Sequence, residues 1–258
     1  MNKEFKKILQ TIKQAGRLAL DYQSKLKIHK KSDGIDFSTQ ADSEIEQLLY
    51  DSLKQLFPKD GFWGEESEEL REESYYIWYV DPIDGTKFFA ADIPLWSVSV
   101  ARVKKGEKVP VFSAIYSPKD GNLFYAMKSE GAWKNDKKLE INNSSEISKL
   151  TVAFDFVPTD NKVLNSEIYG KLSKLLQTFY RVRLFGCGSL STVWTATGFF
   201  GCFIKYLQGT KQYNDVVAGL LIAQEAGLNV DYQTLDNGLE RIIICHKDVL
   251  EKVQNIID

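Results

Sequence analysis

The chain has 258 residues, 43% of them hydrophobic, enough to bury a full core as one large domain or as two fused halves. Its 33 Lys and Arg against 35 Asp and Glu give a formal net charge of -2 with no dense basic stripe, which argues against a polymeric nucleic acid as partner. From Met1 the sequence enters an amphipathic pattern, and no apolar run approaches the length of a membrane span, so a cytoplasmic protein without a membrane partner is expected.

Residues 3–25 set Phe5, Ile8, Leu9, Ile12, Ala15, Leu18, Ala19 and Tyr22 at helical spacing, and 42–57 repeat the pattern with Ile45, Leu48, Leu49, Leu53 and Leu56. A loop from Lys31 to Asp42 joins these two helices. Residues 75–80, 97–103, 109–116 and 123–127 then read as strands, with turns at Lys105-Gly106 and Pro118-Lys119-Asp120-Gly121, which predicts an antiparallel meander. Past the polar stretch Asn142-Asn143-Ser144-Ser145 the pattern alternates. Strands at 151–156, 180–185, 202–207 and 241–245 are interleaved with helices at 163–178, 189–198, 214–226 and 246–257. The expected fold passes from α+β to α/β: a layered αβαβα sandwich with an antiparallel sheet in the first half and a mixed sheet in the second. It forms one domain over 1–258, with halves at about 1–145 and 146–258 and a ligand cleft between them.

Cys187, Cys202 and Cys245 are odd in number, widely spaced and set in apolar segments, which suits reduced core residues and neither a disulfide framework nor a thiolate zinc site. His29 and His246 have no histidine neighbour at ligand spacing. Chemistry must therefore rest on oxygen. The acids concentrate in Gly64-Glu65-Glu66-Ser67, in Asp81-Pro82-Ile83-Asp84-Gly85-Thr86 and in Asn214-Asp215-Val216-Val217-Ala218-Gly219. In a straight strand Asp81 and Asp84 would face opposite sides, but Pro82 is expected to end the ladder and Asp-Gly to turn the backbone, so that the two converge. Gly85 and Thr86 then open a short helix whose free N–H groups suit a phosphate. Clustered carboxylates without histidine or cysteine point to magnesium or manganese.

These three segments, in this order, resemble the signatures of the inositol monophosphatase family of magnesium-dependent, lithium-sensitive phosphatases, and weaker similarity joins them across nearly the whole chain. The resemblance implies that Glu65, Asp81 and the carbonyl of Ile83 hold one Mg2+ and that Asp81, Asp84 and Asp215 hold a second. A third ion lies near Glu65 in some members, and Mn2+ is an alternative. It implies further that Glu65 and Thr86 hold the attacking water, that the amides of Gly85 and Thr86 bind the phosphate of a small phosphate ester, and that the protein is a homodimer. A loop carrying Lys31, Thr39 and Asp42 would close over the metals. Gly188 and Ser189 would open a helix that contacts substrate hydroxyls.

The chain departs from the family where the alcohol is chosen. Asn214 stands in place of Trp, Gln208 replaces the acid that inositol-handling members use on substrate hydroxyls, and Lys87 and Phe88 follow Thr86 where those members carry smaller or amide residues, Lys at that place being similar to the bisphosphate nucleotidase branch. Cys187-Gly188-Ser189 supplies no acid of the histidinol-phosphatase kind. The expectation is a phosphomonoesterase for an inositol monophosphate-like polyol or sugar phosphate, with nucleotidase-type or fructose-bisphosphatase-type activity as the alternative. Outside that class stands a non-catalytic metal- or phosphate-binding protein. Taken singly, Glu65 also reads as part of a solvated acidic stretch, Asp215 as a helix cap, Asp84 as the start of an Asp-Gly turn, and Lys87 as a solvated helix residue. A haloacid-dehalogenase-type phosphatase would need one residue between its two acids, where this chain has two.

Overall fold

The computed structural model of the chain describes residues 2–28, 34–65, 67–69, 73–141 and 146–258, the side chains of 26–28, 34–39, 68 and 69 excepted. Lys31 and Glu66 lie outside the described residues. Two helices, α1 (Lys3–Ile28) and α2 (Gly34–Leu56), come first. The segment 34–42, expected as loop, is thus helical. Its register was hidden because the inward positions of α2 are partly acidic: Asp42 and Glu46 are buried on the same face as Ile45, Leu49 and Leu53.

The first sheet contains β1 (Gly61–Trp63), β2 (Glu68–Glu69), β3 (Tyr76–Asp84), β4 (Ser97–Lys104), β5 (Phe112–Ser117), β6 (Asn122–Met127), β7 (Gly131–Lys134) and β8 (Lys137–Lys138), in the order β2-β1-β3-β4-β5-β6-β7-β8. From β3 to β8 it is the predicted meander, extended by two short strands. It is not wholly antiparallel, because β1 pairs parallel with β3. A three-residue strand shows no alternation to read.

The second sheet holds β9 (Thr151–Phe156), β10 (Arg181–Arg183), β11 (Cys202–Leu207), β12 (Asn229–Thr234) and β13 (Glu240–Cys245), ordered β10-β9-β11-β13-β12. β9, β10 and β11 are mutually parallel, and β13 runs antiparallel to both of its neighbours, β11 and β12, so this sheet is mixed as expected. Helices α4 (Lys162–Thr178), α5 (Gly188–Ala196), α6 (Gly209–Glu225) and α7 (Lys247–Ile257) complete it. Helix α6 starts at Gly209, not at Asn214, so Asp215 is an interior helix residue and not a cap.

Alternation along the strands assigns the layers. In β4 and β5, Val98, Val100, Phe112 and Ala114 pack with α1 and α2, whereas Ala101, Val103 and Ile115 pack with α5 and α6. In β11, Phe203 and Leu207 face α5 and α6, while Cys202, Ile204 and Tyr206 face α4 and α7. The order is helix, sheet, helix, sheet, helix, with α5 and α6 in the middle. No helix among the described residues is long and apolar enough to cross a membrane.

Candidate active site

Strand β3 carries its acids inward through a bulge. Asp81 pairs with Ser99 and Asp84 with Ser97, so three steps on β3 oppose two on β4. Pro82 therefore does not end the ladder; the extra residue is absorbed and the strand runs on to Asp84. Ile83 joins the core under α1 and α2, and Asp84 reaches the middle layer with Asp81. Gly85 follows at φ 92°, where an added Cβ would lie 2.6 Å from the Leu95 carbonyl oxygen. Helix α3 (Thr86–Ala90) starts there, with the Thr86 hydroxyl donating to the Ile83 carbonyl at 3.1 Å.

The middle helices seize these acids from the other side. At the start of α5 the Ser189 N–H donates to Asp84 Oδ2 at 2.7 Å, and the Cys187 thiol approaches the same oxygen at 3.1 Å. The Ser189 hydroxyl donates to the Asp215 carbonyl at 3.0 Å. Gly188 lets α5 and α6 approach so closely that a Cβ would sit 2.7 Å from that carbonyl oxygen. Gly188 and Ser189 are buried at the start of α5, where they position acids and are not part of the cavity lining. Asn214, at the position where the resemblance expects Trp, donates an amide N–H to the Val80 carbonyl at 2.8 Å, just before Asp81.

Glu65 comes from the loop after β1. Its N–H donates to the Glu46 carboxylate at 2.7 Å, which also accepts from the Ser67 hydroxyl. Glu46 was missed by sequence reasoning; the signal was its inward place one helical turn after Asp42. Asp42 itself is a buried residue of α2 rather than a loop residue.

Glu65, Asp81, Ile83, Asp84, Gly85, Thr86, Lys87 and Asp215 line one cavity of about 460 Å3, together with Phe88, Phe185 and Gly186. Both halves of the chain thus contribute. Gln208 is an exposed residue at the start of α6, bonded through its N–H to Gln212, and does not line this cavity.

The cavity's electrostatics are set by burial and crowding. Burial first, then the charges of Asp84, Asp215, Glu65 and Asp42, hold the Asp81 carboxyl well above its ordinary range. Burial and then Asp215 push Asp84 up to about 7, against the pull of Cys187, Ser189 and Lys205. Burial and Asp84 keep Cys187 a thiol. Two lysines answer the other acids: Lys211 at 3.2 Å from Glu65, and the buried Lys205 at 2.9 Å from Asp215.

The donor set is carboxylate, carbonyl and hydroxyl oxygen only, and its two most buried acids shed proton affinity only if positive charge joins them. That chemistry fits Mg2+ or Mn2+. Among the described residues, no three acidic, His or Cys side chains are gathered closely enough to hold a metal ion.

The chain is similar to known proteins over nearly its whole length. Residues 1–256 match the family described as the inositol monophosphatase family. An inositol-1-monophosphatase from Caulobacter vibrioides is 31% identical over 250 residues, covering 95% of this chain and 93% of the relative. A putative Nus factor SuhB from Neisseria meningitidis is 29% identical over 226 residues, 86% of this chain and 84% of its own. The crystal structure of extragenic suppressor protein suhB from Bartonella henselae superposes with a TM-score of 0.81 at 24% identity, covering 100% of this chain and 99% of that one.

Proposed function

The chain belongs to the inositol monophosphatase family and is a phosphoric monoester hydrolase, and on that premise we propose that it is a Mg2+-dependent enzyme releasing phosphate from a small phosphorylated metabolite. The observation that carries this reading is the meeting of Glu65, Asp81, Asp84 and Asp215 with Gly85 and Thr86 around one cavity.

Glu65, Asp81, Asp84, Asp215 and the Ile83 carbonyl would hold two Mg2+ ions, or Mn2+ in their place, with a third near Glu65. When bound, divalent cations withdraw charge from the phosphoryl oxygens and acidify a water. The chain's own groups then do the positioning. The N–H groups of Gly85 and Thr86 precede the first hydrogen bond of α3 and are offered to the phosphate. The Thr86 hydroxyl spends its proton on Ile83, which leaves its lone pairs to accept from the attacking water. Glu65 accepts the other proton of that water. Displacement in line with the ester bond needs no covalent phosphoenzyme.

Phe88, Phe185 and Lys87 also line the cavity, and Gln208 does not. That lining favours a second reading, an ester whose alcohol bears a base or another phosphate, as in the nucleoside bisphosphates, over a bare polyol. We propose further that it acts in the cytoplasm and, as the family resemblance implies, as a homodimer. The test is phosphate release with Mg2+ from a panel of inositol, sugar and nucleotide phosphates, with and without Li+. Release abolished by chelation and lowered by Li+ is the expected result; no release from any ester overturns the proposal.

A further inference from the structure

Lys205 is 1% exposed, and its ammonium lies 2.9 Å from Asp155 Oδ2 and 2.9 Å from Asp215 Oδ2. Its place is set by the sheet rather than by the pocket. Lys205 sits in β11 between Asp155 on β9 and Ile242 on β13, on the strand face shared with Phe203 and Leu207. That face looks into the middle layer, where α6 carries Asp215. Lys211, by contrast, reaches Glu65 with a side chain that is 76% exposed, so it can leave for water when the pocket fills. Lys205 has no such exit. Withdrawing a buried ammonium from both carboxylates would strand uncompensated charge in the interior.

We propose that Lys205 is a permanent internal cation that weakens divalent-metal binding at the Asp215 side of the pocket, and that Asp155 tunes this by sharing its charge. The inference rests on the metal-dependent reading above. It makes Lys205 and Asp155 positioning residues and makes the ion that Asp215 would hold with Asp81 and Asp84 the more weakly bound of the two. Two substitutions then act in opposite directions. Lys205→Met frees Asp215 to attract a cation. Asp155→Asn leaves the whole of the Lys205 charge on Asp215.

The experiment is Mn2+ titration of the metal-depleted full chain, followed by the electron paramagnetic resonance signal of free Mn2+ and by calorimetry, with circular dichroism as the check of folding. The weaker Mn2+ class should tighten about tenfold in Lys205→Met and loosen about tenfold in Asp155→Asn, the scale of one charge acting at close range. A merely structural role would loosen binding in both. Shifts of the same sign, or neither exceeding about twofold, overturn the inference while wild-type Mn2+ binding leaves the proposed function standing. If Lys205→Met does not fold, Lys205→Gln, which keeps an N–H donor for the two carboxylates without the charge, takes its place: tighter Mn2+ binding supports the inference, and unchanged or weaker binding overturns it. A wild-type protein that binds no Mn2+ overturns the metal-dependent reading and this inference with it.

Discussion

The two sides of the pocket hold their acids in opposite ways. On the strand side Asp81 and Asp84 are 5% and 6% exposed, and their contacts at the pocket are an Ile83 N–H, a Ser189 N–H and a thiol, all uncharged. On the other side Glu65 and Asp215 are more open, and each has a lysine. The difference teaches where the proposed cation would matter most. The strand side holds carboxyls that burial discourages from ionising, whereas the other side is already compensated.

The sharpest way to break the contrast is Asp84→Asn. The amide keeps the size of the carboxylate and can still accept from the Ser189 N–H, but it removes one negative charge from the bulge. Turnover should fall by roughly a thousandfold or more, since charge stabilisation at the phosphoryl group is worth several kcal/mol. The metal-free protein should meanwhile become more stable to thermal unfolding, because a buried like-charge neighbour of Asp81 is gone. Lower stability alongside lost turnover would mean that Asp84 serves the fold instead.

The same asymmetry predicts how stability depends on pH. Asp84 is raised from 3.8 to about 7, mainly by burial and by Asp215, and Asp81 is raised by burial and its acidic neighbours. A carboxyl whose folded pKa exceeds its unfolded one costs nothing below about pH 4, where both states are protonated. As pH rises from about 4 to about 7 the unfolded chain loses the proton and the folded one resists, so stability falls. For Asp84 alone the loss is on the order of 4 kcal/mol at about 1.4 kcal/mol for each pH unit. Metal-free protein should thus melt lower at pH 7 than at pH 5, and Mg2+ should restore more at pH 7. A flat melting profile across that window would show these carboxyls to be hydrated.

How much of this could be read from the sequence differs between the two sides. Asp81, Asp84, Gly85 and Thr86 form one contiguous run, so their meeting was legible even though the bulge that delivers it was not; Pro82 was expected to stop the strand it only distorts. Lys205 was illegible. It sits in Cys202-Phe203-Ile204-Lys205-Tyr206-Leu207, a buried strand in which one charge reads as noise, and its partner Asp155 is fixed only by the β9–β11 register. Asn214 read as a departure because its bond to Val80 spans two distant segments. The layer order, by contrast, followed from the switch of hydrophobic period past residue 145, which local pattern carries well.

A smaller effect is expected where α5 meets α6. In Gly188→Ala the new methyl would press on the Asp215 carbonyl oxygen and on Val216, so the helices must part. Destabilisation of about 1–3 kcal/mol is expected, as for other overpacked sites. Because the Ser189 N–H would draw back from Asp84, kcat should fall more than KM rises. Full activity at normal stability would show that this close approach is not needed to hold the acids.

The smallest effect falls on the exposed lysine, and it sharpens the comparison most cleanly. Lys211→Ala removes the ammonium 3.2 Å from Glu65, but that side chain is 76% exposed and the pair is surface-like. Exposed pairs contribute about 0–1 kcal/mol, so unfolding in denaturant should move by no more than that. Mn2+ affinity should tighten by less than about threefold, since the lysine already yields to a cation by turning into water. The effect should shrink further in 1 M salt, where screening acts within about 3 Å, while the effects of the buried acids should not. If Lys211→Ala changed metal affinity as strongly as a change at Lys205, burial would not be what separates the two lysines, and the division of the pocket into a compensated and an uncompensated side would have to rest on something other than desolvation.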